Sequence, residues 1–257
     1  MSYLPSFHLT DQVVVVTGAG KGIGRALAIG AAEAGADVAI LARTEADIQE
    51  TAGSIRDLGR KAFPIQVDIT KNEEIREAVK QIKKEAGKIN VLINNAGMNI
   101  RSKASDVTED EWNQIFQTNL QGAFFMSQAC AEVMKDNGGG KIINIASVAG
   151  LVALRTGVVY AATKAGMIQM TKNLALEWAE DGITVNAIGP WYFRTPLTEQ
   201  LLQNEEYLQD ILARTPMKRV GELKDLVGAA VFLSTEASDY MTGQTLYVDG
   251  GMTIYGF

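Results

Sequence analysis

The stretch VVVVTGAGKGIGRALA, Val13 to Ala28, passes from an apolar run through a cluster of glycines into an amphipathic segment. Gly18, Gly22 and Gly24 lie at that junction. A side chain at these positions would keep the backbone away from a phosphate, and the free N–H groups and dipole of a helix N-terminus favour an anion. A plain tight turn would explain the glycines as well. The stretch therefore predicts a dinucleotide site only if the surrounding chain supplies a βαβ fold.

Outward from this stretch, short apolar segments alternate with longer amphipathic ones. Most of the short segments are continuous Val, Ile and Leu runs, which are typical of strands buried on both faces of a parallel sheet. The predicted strands are 12–18, 37–43, 62–68, 90–97, 141–147, 183–190 and 245–251, and the predicted helices are 22–34, 45–59, 71–86, 109–136 with a break near Asn119, 157–180 and 222–236. The alternation predicts an α/β fold, a doubly wound parallel sheet of the Rossmann type with about seven strands and helices on both faces, in a single domain spanning 1–257.

One late segment does not follow the alternation. Residues 191–221, WYFRTPLTEQLLQNEEYLQDILARTPMKRVG, contain no clear strand and predict a substrate lid. The aromatic residues at its start, Trp191, Tyr192 and Phe193, could line a substrate pocket. Trp191 could equally pack beneath the lid.

A second informative stretch is SVAGLVALRTGVVYAATKAGM, 147–167, in which Tyr160 and Lys164 stand four residues apart and so share one helix face. Here the chain resembles the short-chain dehydrogenase/reductase family, in its single-domain branch, over nearly its whole length. Among the members it looks closest to gluconate 5-dehydrogenases and 3-oxoacyl-acyl-carrier-protein reductases. The matching motifs, in chain order, are TGAGKGIG (17–24), Asp68, NNAG (94–97), Asn119, Ser147, Tyr160 with Lys164, and VDGGM (248–252).

The chemistry that the resemblance implies requires these residue types. Hydride transfer between a nicotinamide and a carbinol carbon needs a proton to join or leave the oxygen, and a free phenol of pKa about 10 holds its proton too tightly at pH 7. An ammonium about 4 Å away contributes about 4 kcal/mol at an effective dielectric near 20 and favours the phenolate. We therefore expect Tyr160 to be the acid/base and Lys164 its activator. Ser147 would hydrogen-bond the carbonyl or alkoxide.

The end of the second predicted strand indicates which nicotinamide cofactor binds. NAD enzymes of this type carry an acidic residue there, which accepts a hydrogen bond from the ribose 2′-OH. This chain has Ala42, Arg43 and Thr44 instead, and an arginine can form a charge-assisted fork to a phosphate. Lys21, on the ribose side of the glycine turn, could be a solvated charge if it stood alone. Together with Arg43 it resembles the clamp of NADP-preferring members and predicts NADP(H), with NAD(H) as the less favoured alternative.

The resemblance also implies the wider site. Asn119 would bend its helix and hold a water that links Lys164 to solvent, and Phe193 and Thr195 would contact the nicotinamide. The predicted catalytic residues are Asn119, Ser147, Tyr160 and Lys164. The predicted cofactor-binding residues are Gly18, Lys21, Gly22, Ile23, Gly24, Arg43, Thr44, Asp68, Ile69, Asn95, Ala96, Gly97, Tyr160, Lys164, Pro190, Phe193 and Thr195.

Composition narrows the function classes further. A net charge of −6 gives no support for nucleic-acid binding, and with one histidine and one cysteine the chain can build neither a His-based metal site nor a Ser-His-Asp triad. We expect a small-molecule substrate, no metal, no membrane partner and a cytoplasmic protein. The resemblance implies a homotetramer, since family members pair the two long helices across subunits.

Substrate identity stays open at this level. Arg101, Arg155 and Arg194 could meet an anionic substrate such as a sugar acid, or each could be a solvated charge; a polyol or a 3-oxoacyl thioester is also possible. The leading hypothesis is an NADP(H)-dependent oxidoreductase that interconverts a ketone and a secondary alcohol. A catalytically silent nucleotide-sensing protein on the same fold is the alternative, and isomerase or dehydratase chemistry is a third.

Overall fold

The apolar runs form strands whose two faces are both covered by helices. In the computed structural model, which describes residues 3–155, 157–196 and 198–256, seven parallel strands make one sheet in the order β3-β2-β1-β4-β5-β6-β7. The strands are β1 (Val13–Thr17), β2 (Asp37–Ala42), β3 (Ala62–Gln66), β4 (Val91–Asn94), β5 (Gly140–Ile145), β6 (Ile183–Pro190) and β7 (Thr245–Val248). Every residue of β1 and β4 is buried, as expected of central strands.

The helices pack in two layers. They are α1 (Gly22–Glu33), α2 (Glu45–Asp57), α3 (Asn72–Ala86), α4 (Glu109–Phe116), α5 (Gly122–Asp136), α6 (Val158–Trp178), α7 (Glu199–Leu202), α8 (Glu205–Ala213) and α9 (Leu223–Ser234). Alternate residues of β1 enter opposite cores: Val14 and Val16 pack with α1, α2 and α9, whereas Val13 and Val15 pack with α3, α5 and α6. The predicted doubly wound fold is confirmed.

The strand order reverses between β1 and β4, because β1 pairs with β2 on one side and with β4 on the other. In an open parallel sheet, ligands bind beyond the carboxyl ends of the strands at such a switch point. The turns that follow β1, β2, β4, β5 and β6 carry most of the residues predicted for the site. The fold therefore gathers them at one edge of the sheet.

The predicted break in the 109–136 helix is real and has a defined form. Residues Gln117–Gln121 make a π turn between α4 and α5, and the Gly122 N–H donates to the Gln117 carbonyl, five residues earlier. Asn119 lies inside this turn and is completely buried. Single π turns inside α-helices occur frequently at functional sites.

The predicted lid, 191–221, contains two helices, α7 and α8, and one isolated bridge between Phe193 and Gly221. Leu197, which falls within that prediction, lies outside the described residues. Within the part of the chain that the structure describes, no helix is both long and apolar enough to cross a membrane.

Candidate active site

The glycine turn is built so that a side chain would not fit. Gly18 has φ +65°, and a Cβ there would lie 2.9 Å from the Cα of Ala96. A Cβ on Gly24 would overlap the carbonyl oxygen of Gly18 and the amide nitrogen of Asn95. The glycines thus let the start of α1 pack directly on the loops after β1 and β4.

The N-terminus of α1 offers its backbone donors to an anion. The helix begins at Gly22, its N-cap Lys21 makes no side-chain capping bond, and its first turn has no acidic residue. The first N–H groups of a helix have no intrahelical partner and carry the positive end of the dipole. Together with the close-packed glycines, this arrangement fits the pyrophosphate of a dinucleotide.

The loop after β4 is tied to the end of β1. Thr17 Oγ1 accepts hydrogen bonds from the backbone N–H groups of Asn95, at 3.0 Å, and Ala96, at 3.1 Å. Asn95 Nδ2 donates in return to the Thr17 carbonyl at 3.0 Å. These bonds place residues 95–97 beside the glycine turn, where the sequence predicts cofactor contacts.

Polar and charged side chains meet where the ribose of a dinucleotide would lie. Arg43 and Thr44 are exposed between β2 and α2, and Thr44 makes no capping hydrogen bond although it is the N-cap of α2. The backbone carbonyl of Arg43 accepts a hydrogen bond from Gln66 at 2.8 Å, which anchors the residue next to β3. Lys21 forms an ion pair with Asp47, with 3.1 Å between its Nζ and the carboxylate.

Asp68 lies next to these groups, after β3. Burial acts to raise the pKa of its carboxyl, but hydrogen bonds from Thr70 and the charges of Arg43 and Lys71 outweigh burial, so the pKa lies below its usual value. The carboxylate is therefore ionised at neutral pH. The neighbouring Ile69 is buried and packs against the start of α5.

Ser147, Tyr160 and Lys164 come together at the end of β5. Ser147 has extended backbone and its Oγ accepts a hydrogen bond from the Ala149 N–H at 3.1 Å. Tyr160 is half-buried in the first turn of α6. Lys164 is buried one turn later, with its Nζ 5.6 Å from the centre of the Tyr160 ring and 2.7 Å from the Ile145 carbonyl oxygen.

The electrostatics of Tyr160 in the chain without cofactor favour the protonated phenol. Burial raises the pKa of Tyr160; a hydrogen bond with Ser147 and the charge of Arg101 lower it, but not enough to reverse the rise. The Lys164 ammonium donates to the Ile145 carbonyl. Burial also lowers the pKa of Lys164 to about 8. In the chain without cofactor the pKa of Tyr160 therefore lies above its ordinary value, and the role of Lys164 as its activator stays a prediction.

Asn119 is fixed in place by three hydrogen bonds. Its Oδ1 accepts from the Met98 N–H at 2.8 Å, and its Nδ2 donates to the Met98 carbonyl at 2.9 Å and to Thr163 Oγ1 at 3.3 Å. Thr163 in turn donates to the carbonyl of Tyr160 at 2.8 Å. The π turn is thus linked both to the loop after β4 and to the helix that carries the tyrosine.

A pocket of about 200 Å³ lies between the segment 191–221, the predicted lid, and the rest of the chain, lined among others by Arg101, Arg155, Tyr192, Tyr207 and Arg214. Arg101 Nη1 donates to the hydroxyls of Tyr192 and Tyr207, at 3.1 Å and 3.2 Å, and these two hydroxyls also bond each other.

A second contact joins the lid to the body at this pocket. Arg155 forms an ion pair with Asp210 of α8, with 2.6 Å between the charged atoms. Sequence reasoning missed Tyr207 and Asp210; their spacing of three residues, which puts both on one face of the lid helix, was the available signal.

The aromatic residues at the start of the predicted lid differ in their surroundings. Trp191 lines the pocket. It also contacts the predicted lid, since its Nε1 donates to Thr215 Oγ1 at 3.0 Å. Phe193 is only 4% exposed and packs in the core, and its contact with the nicotinamide stays a prediction. Thr195 lies close to the glycine turn, 3.7 Å from where a Cβ on Gly22 would be.

Two further predictions concern charged and metal-binding groups. Arg194 pairs with Glu199 at 3.9 Å and does not line the pocket, unlike Arg101 and Arg155. Among the residues that the structure describes, no group of three or more His, Cys, Asp and Glu side chains could hold a metal ion. Cys130 is buried, as the sequence indicates for a small core residue.

Comparison with known proteins gives full-length matches. A family model described as enoyl-(acyl carrier protein) reductase matches residues 18–253. Gluconate 5-dehydrogenase of Gluconobacter oxydans is 38% identical over 255 residues, covering 99% of each chain. NAD-dependent glycerol dehydrogenase of Listeria innocua is 40% identical over 248 residues, covering 96% of each. The crystal structure of a gluconate 5-dehydrogenase from Burkholderia cenocepacia in complex with NADP and tartrate has a TM-score of 0.94 and 39% identity, covering 97% of this chain and 98% of that one.

Proposed function

Since the chain belongs to the short-chain dehydrogenase/reductase family and is an oxidoreductase of CH–OH groups, we propose that it uses NADP(H) to interconvert a ketone and a secondary alcohol of a sugar acid. The observation that carries the substrate class is the position of Arg101, which lines the pocket while its charge acts on Tyr160. A cation beside the acid/base suits a substrate with a carboxylate near its reacting carbon. The related Burkholderia enzyme, whose structure contains NADP and tartrate, supports this assignment.

The residues of the site divide the work of the reaction. The α1 N-terminus and the glycine turn would hold the pyrophosphate of the cofactor, and Asn95, Ala96 and Gly97 would contact the cofactor next to it. When bound, NADPH supplies the hydride that reduces the carbonyl carbon. Ser147 hydrogen-bonds the substrate oxygen, and Tyr160 donates the proton to that oxygen. In the oxidation direction Tyr160 takes this proton back.

Lys164 and Asn119 are proposed to resupply the proton that Tyr160 donates. With a pKa of about 8, Lys164 gives up a proton far more readily than an ordinary lysine, so it suits a relay that restores the proton of Tyr160 through an intervening group after each turnover. Asn119, held by Met98 and Thr163, keeps the π turn beside this lysine helix and is proposed to hold the water that connects it to solvent. The high pKa of Tyr160 keeps the phenol protonated and ready for ketone reduction at neutral pH.

A substrate panel separates the candidate activities. Purified protein is offered NADPH or NADH with keto sugar acids, neutral keto sugars and β-ketoacyl thioesters, and cofactor absorbance is followed. We expect the fastest NADPH oxidation with the acids. Preference for the thioesters or neutral ketones contradicts the substrate class. Turnover without net cofactor oxidation indicates an isomerase or dehydratase, and cofactor binding without any turnover indicates a sensor. The Tyr160→Phe variant is expected to lose activity while it still binds NADPH.

The cofactor assignment has its own test. Replacing Arg43 by Asp removes a charge-assisted contact to the 2′-phosphate and adds a repelling carboxylate, so NADPH affinity is expected to fall about a hundredfold while NADH affinity stays within about threefold. Arg56→Asp, the same change at the far end of α2, is the matched control. Equal losses for both cofactors in the Arg43 variant would rule out the clamp.

We also propose a cytoplasmic homotetramer. Apolar side chains remain exposed on the two helices that the family resemblance expects at subunit contacts: Trp112 of α4 is 43% exposed, and Val158 and Leu176 of α6 are 49% and 81% exposed. Side chains of this kind favour burial between subunits. Gel filtration is expected to give about four times the 27.7 kDa of one chain; elution as a monomer contradicts this.

A further inference from the structure

The lysine of the proposed 2′-phosphate clamp already has an anionic partner within the chain. Lys21 Nζ lies 3.1 Å from Asp47 Oδ2, and the two side chains differ in exposure, 66% for Lys21 and 20% for Asp47. A long exposed lysine retains much of its rotamer freedom, whereas a largely covered aspartate does not. The carboxylate is therefore the fixed member of the pair, and it determines where the ammonium rests.

Asp47 is fixed because the first turn of α2 packs on the glycine turn. Thr51 Oγ1 donates to the Asp47 carbonyl and to the Ala19 carbonyl, at 3.1 Å in each case. A Cβ on Gly20 would lie 2.8 Å from the Cβ of Asp47. Asp47 can pack against the backbone of the glycine turn because Gly20 has no side chain, and this contact fixes its position.

This place is the ribose end of the dinucleotide site. Asp47 follows Arg43 by four residues, and α2 begins directly after the Arg43–Thr44 pair. Arg43 has no ion-pair partner among the residues that the structure describes, whereas Lys21 forms an ion pair with Asp47. A 2′-phosphate bound by both cations would compete with Asp47 for Lys21 and be repelled by its charge.

We propose that Asp47 is a specificity-determining residue that restrains the preference for NADP(H) by holding Lys21. This inference rests on the proposed 2′-phosphate clamp and deepens it. NAD(H), with only a hydroxyl at this position, does not need the lysine. The carboxylate therefore acts against one cofactor and leaves the other nearly unaffected.

The expected effect is moderate because the pair is partly exposed. Exposed ion pairs contribute little, and charges several ångströms apart in water interact weakly and are screened by salt. Removing the carboxylate charge with Asp47→Asn is expected to tighten NADPH binding about fivefold and to change NADH binding less than twofold. The gain is expected to shrink at high salt.

The experiment measures cofactor binding alone, by titrating the fluorescence of NADPH and of NADH with wild-type protein, Asp47→Asn and Glu50→Gln. Glu50 lies one turn further along α2 and pairs with Arg25 of α1, so its variant makes the same charge change on the same helix away from the clamp. We expect no selective gain in the Glu50 variant. An unchanged NADH affinity in Asp47→Asn shows that the site has stayed folded.

A second background tests the role of the lysine. In Lys21→Met protein, Asp47→Asn is expected to give a clearly smaller gain for NADPH, because only the direct repulsion between the carboxylate and the 2′-phosphate is then relieved. A gain of equal size with and without Lys21, an equal gain in Glu50→Gln, or no gain at all overturns the proposal. Wild-type protein that prefers NADH would contradict the proposed cofactor, yet Asp47→Asn would still be expected to tighten NADPH binding, so the two failures are distinguishable.

Discussion

Replacing Lys164 by methionine is expected to stabilise the folded protein while removing its activity. The lysine is 4% exposed, and its pKa lies at about 8 rather than at the ordinary 10.5 because burial disfavours its charged form. At neutral pH the folded protein therefore holds a buried ammonium that donates to the Ile145 carbonyl and, more weakly, to the Met167 sulfur. A methionine of similar length fills the same space without a charge.

The magnitude follows from the difference in pKa. At about 1.4 kcal/mol for each pH unit, the gap between about 8 and 10.5 corresponds to about 3 kcal/mol of destabilisation when the lysine is charged. Methionine loses the hydrogen bond to the Ile145 carbonyl, which costs about 1 kcal/mol. The variant is therefore expected to be about 2 kcal/mol more stable than wild type at pH 7.

The stability advantage of the methionine variant is expected to fall as the pH rises. Below about pH 8 the lysine is charged in both the folded and the unfolded protein, so the folded state bears the full cost of burial. Between about 8 and 10.5 only the unfolded state holds the proton, so wild-type stability rises with pH relative to the variant. Above that range the lysine is neutral in both states, and the advantage of methionine is expected to have disappeared.

Urea unfolding at a fixed protein concentration, followed by tryptophan fluorescence from pH 7 to pH 10.5, measures this difference. Lys172→Met, an exposed lysine on the same helix, is the control and is expected to show no comparable gain. A Lys164→Met protein that is no more stable than wild type at pH 7, or a gain that does not change with pH, would refute the reasoning.

Three further outcomes are expected. Gly24→Ala should weaken NADPH binding more than tenfold in fluorescence titrations, because the new Cβ overlaps the backbone of the glycine turn; Gly53→Ala in α2, with open space around it, should not. Tyr207→Phe should raise the KM for the acid substrate about fivefold and leave the KM for NADPH unchanged, since it removes one acceptor that holds Arg101; a matching rise for both would indicate a general loosening. Burial raises the pKa of Cys130 to about 12, so iodoacetamide at pH 8 should label it, by mass spectrometry, only after unfolding.

Much of the site could be predicted because its pieces are local in sequence. Gly18 and Gly24 predict the turn because they lie between an apolar segment and an amphipathic segment. Tyr160 and Lys164 share a helix face because they stand four residues apart, and Ser147 lies two residues after the end of β5, the strand before them. The sheet topology then brings these pieces to one edge with no further information, because parallel strands end on the same side.

What could not be predicted depends on contacts between distant segments. The Lys164 side chain donates to the Ile145 carbonyl. The burial of Tyr160 raises the pKa of its phenol in the chain without cofactor. The packing of the Phe193 ring against Gly221, which lies 28 residues later, is another contact between distant segments that the sequence does not reveal. The assigned catalytic and cofactor roles stay predictions until the variants are measured.

Because of the π turn at Gln117–Gln121, the helical segment 109–136 cannot lose a residue without a change in its packing. A π turn holds one residue more than the α-helical turn it replaces, and one residue corresponds to about 100° of rotation. Deleting any one of its residues would restore a regular α-helix but rotate α5 by that angle relative to α4. Met126 and Cys130 would leave the core, and polar residues would enter it. The extra residue therefore sets the rotation of α5 relative to α4. With it, the apolar faces of both helices pack toward the sheet while Asn119 faces α6, the helix of Tyr160.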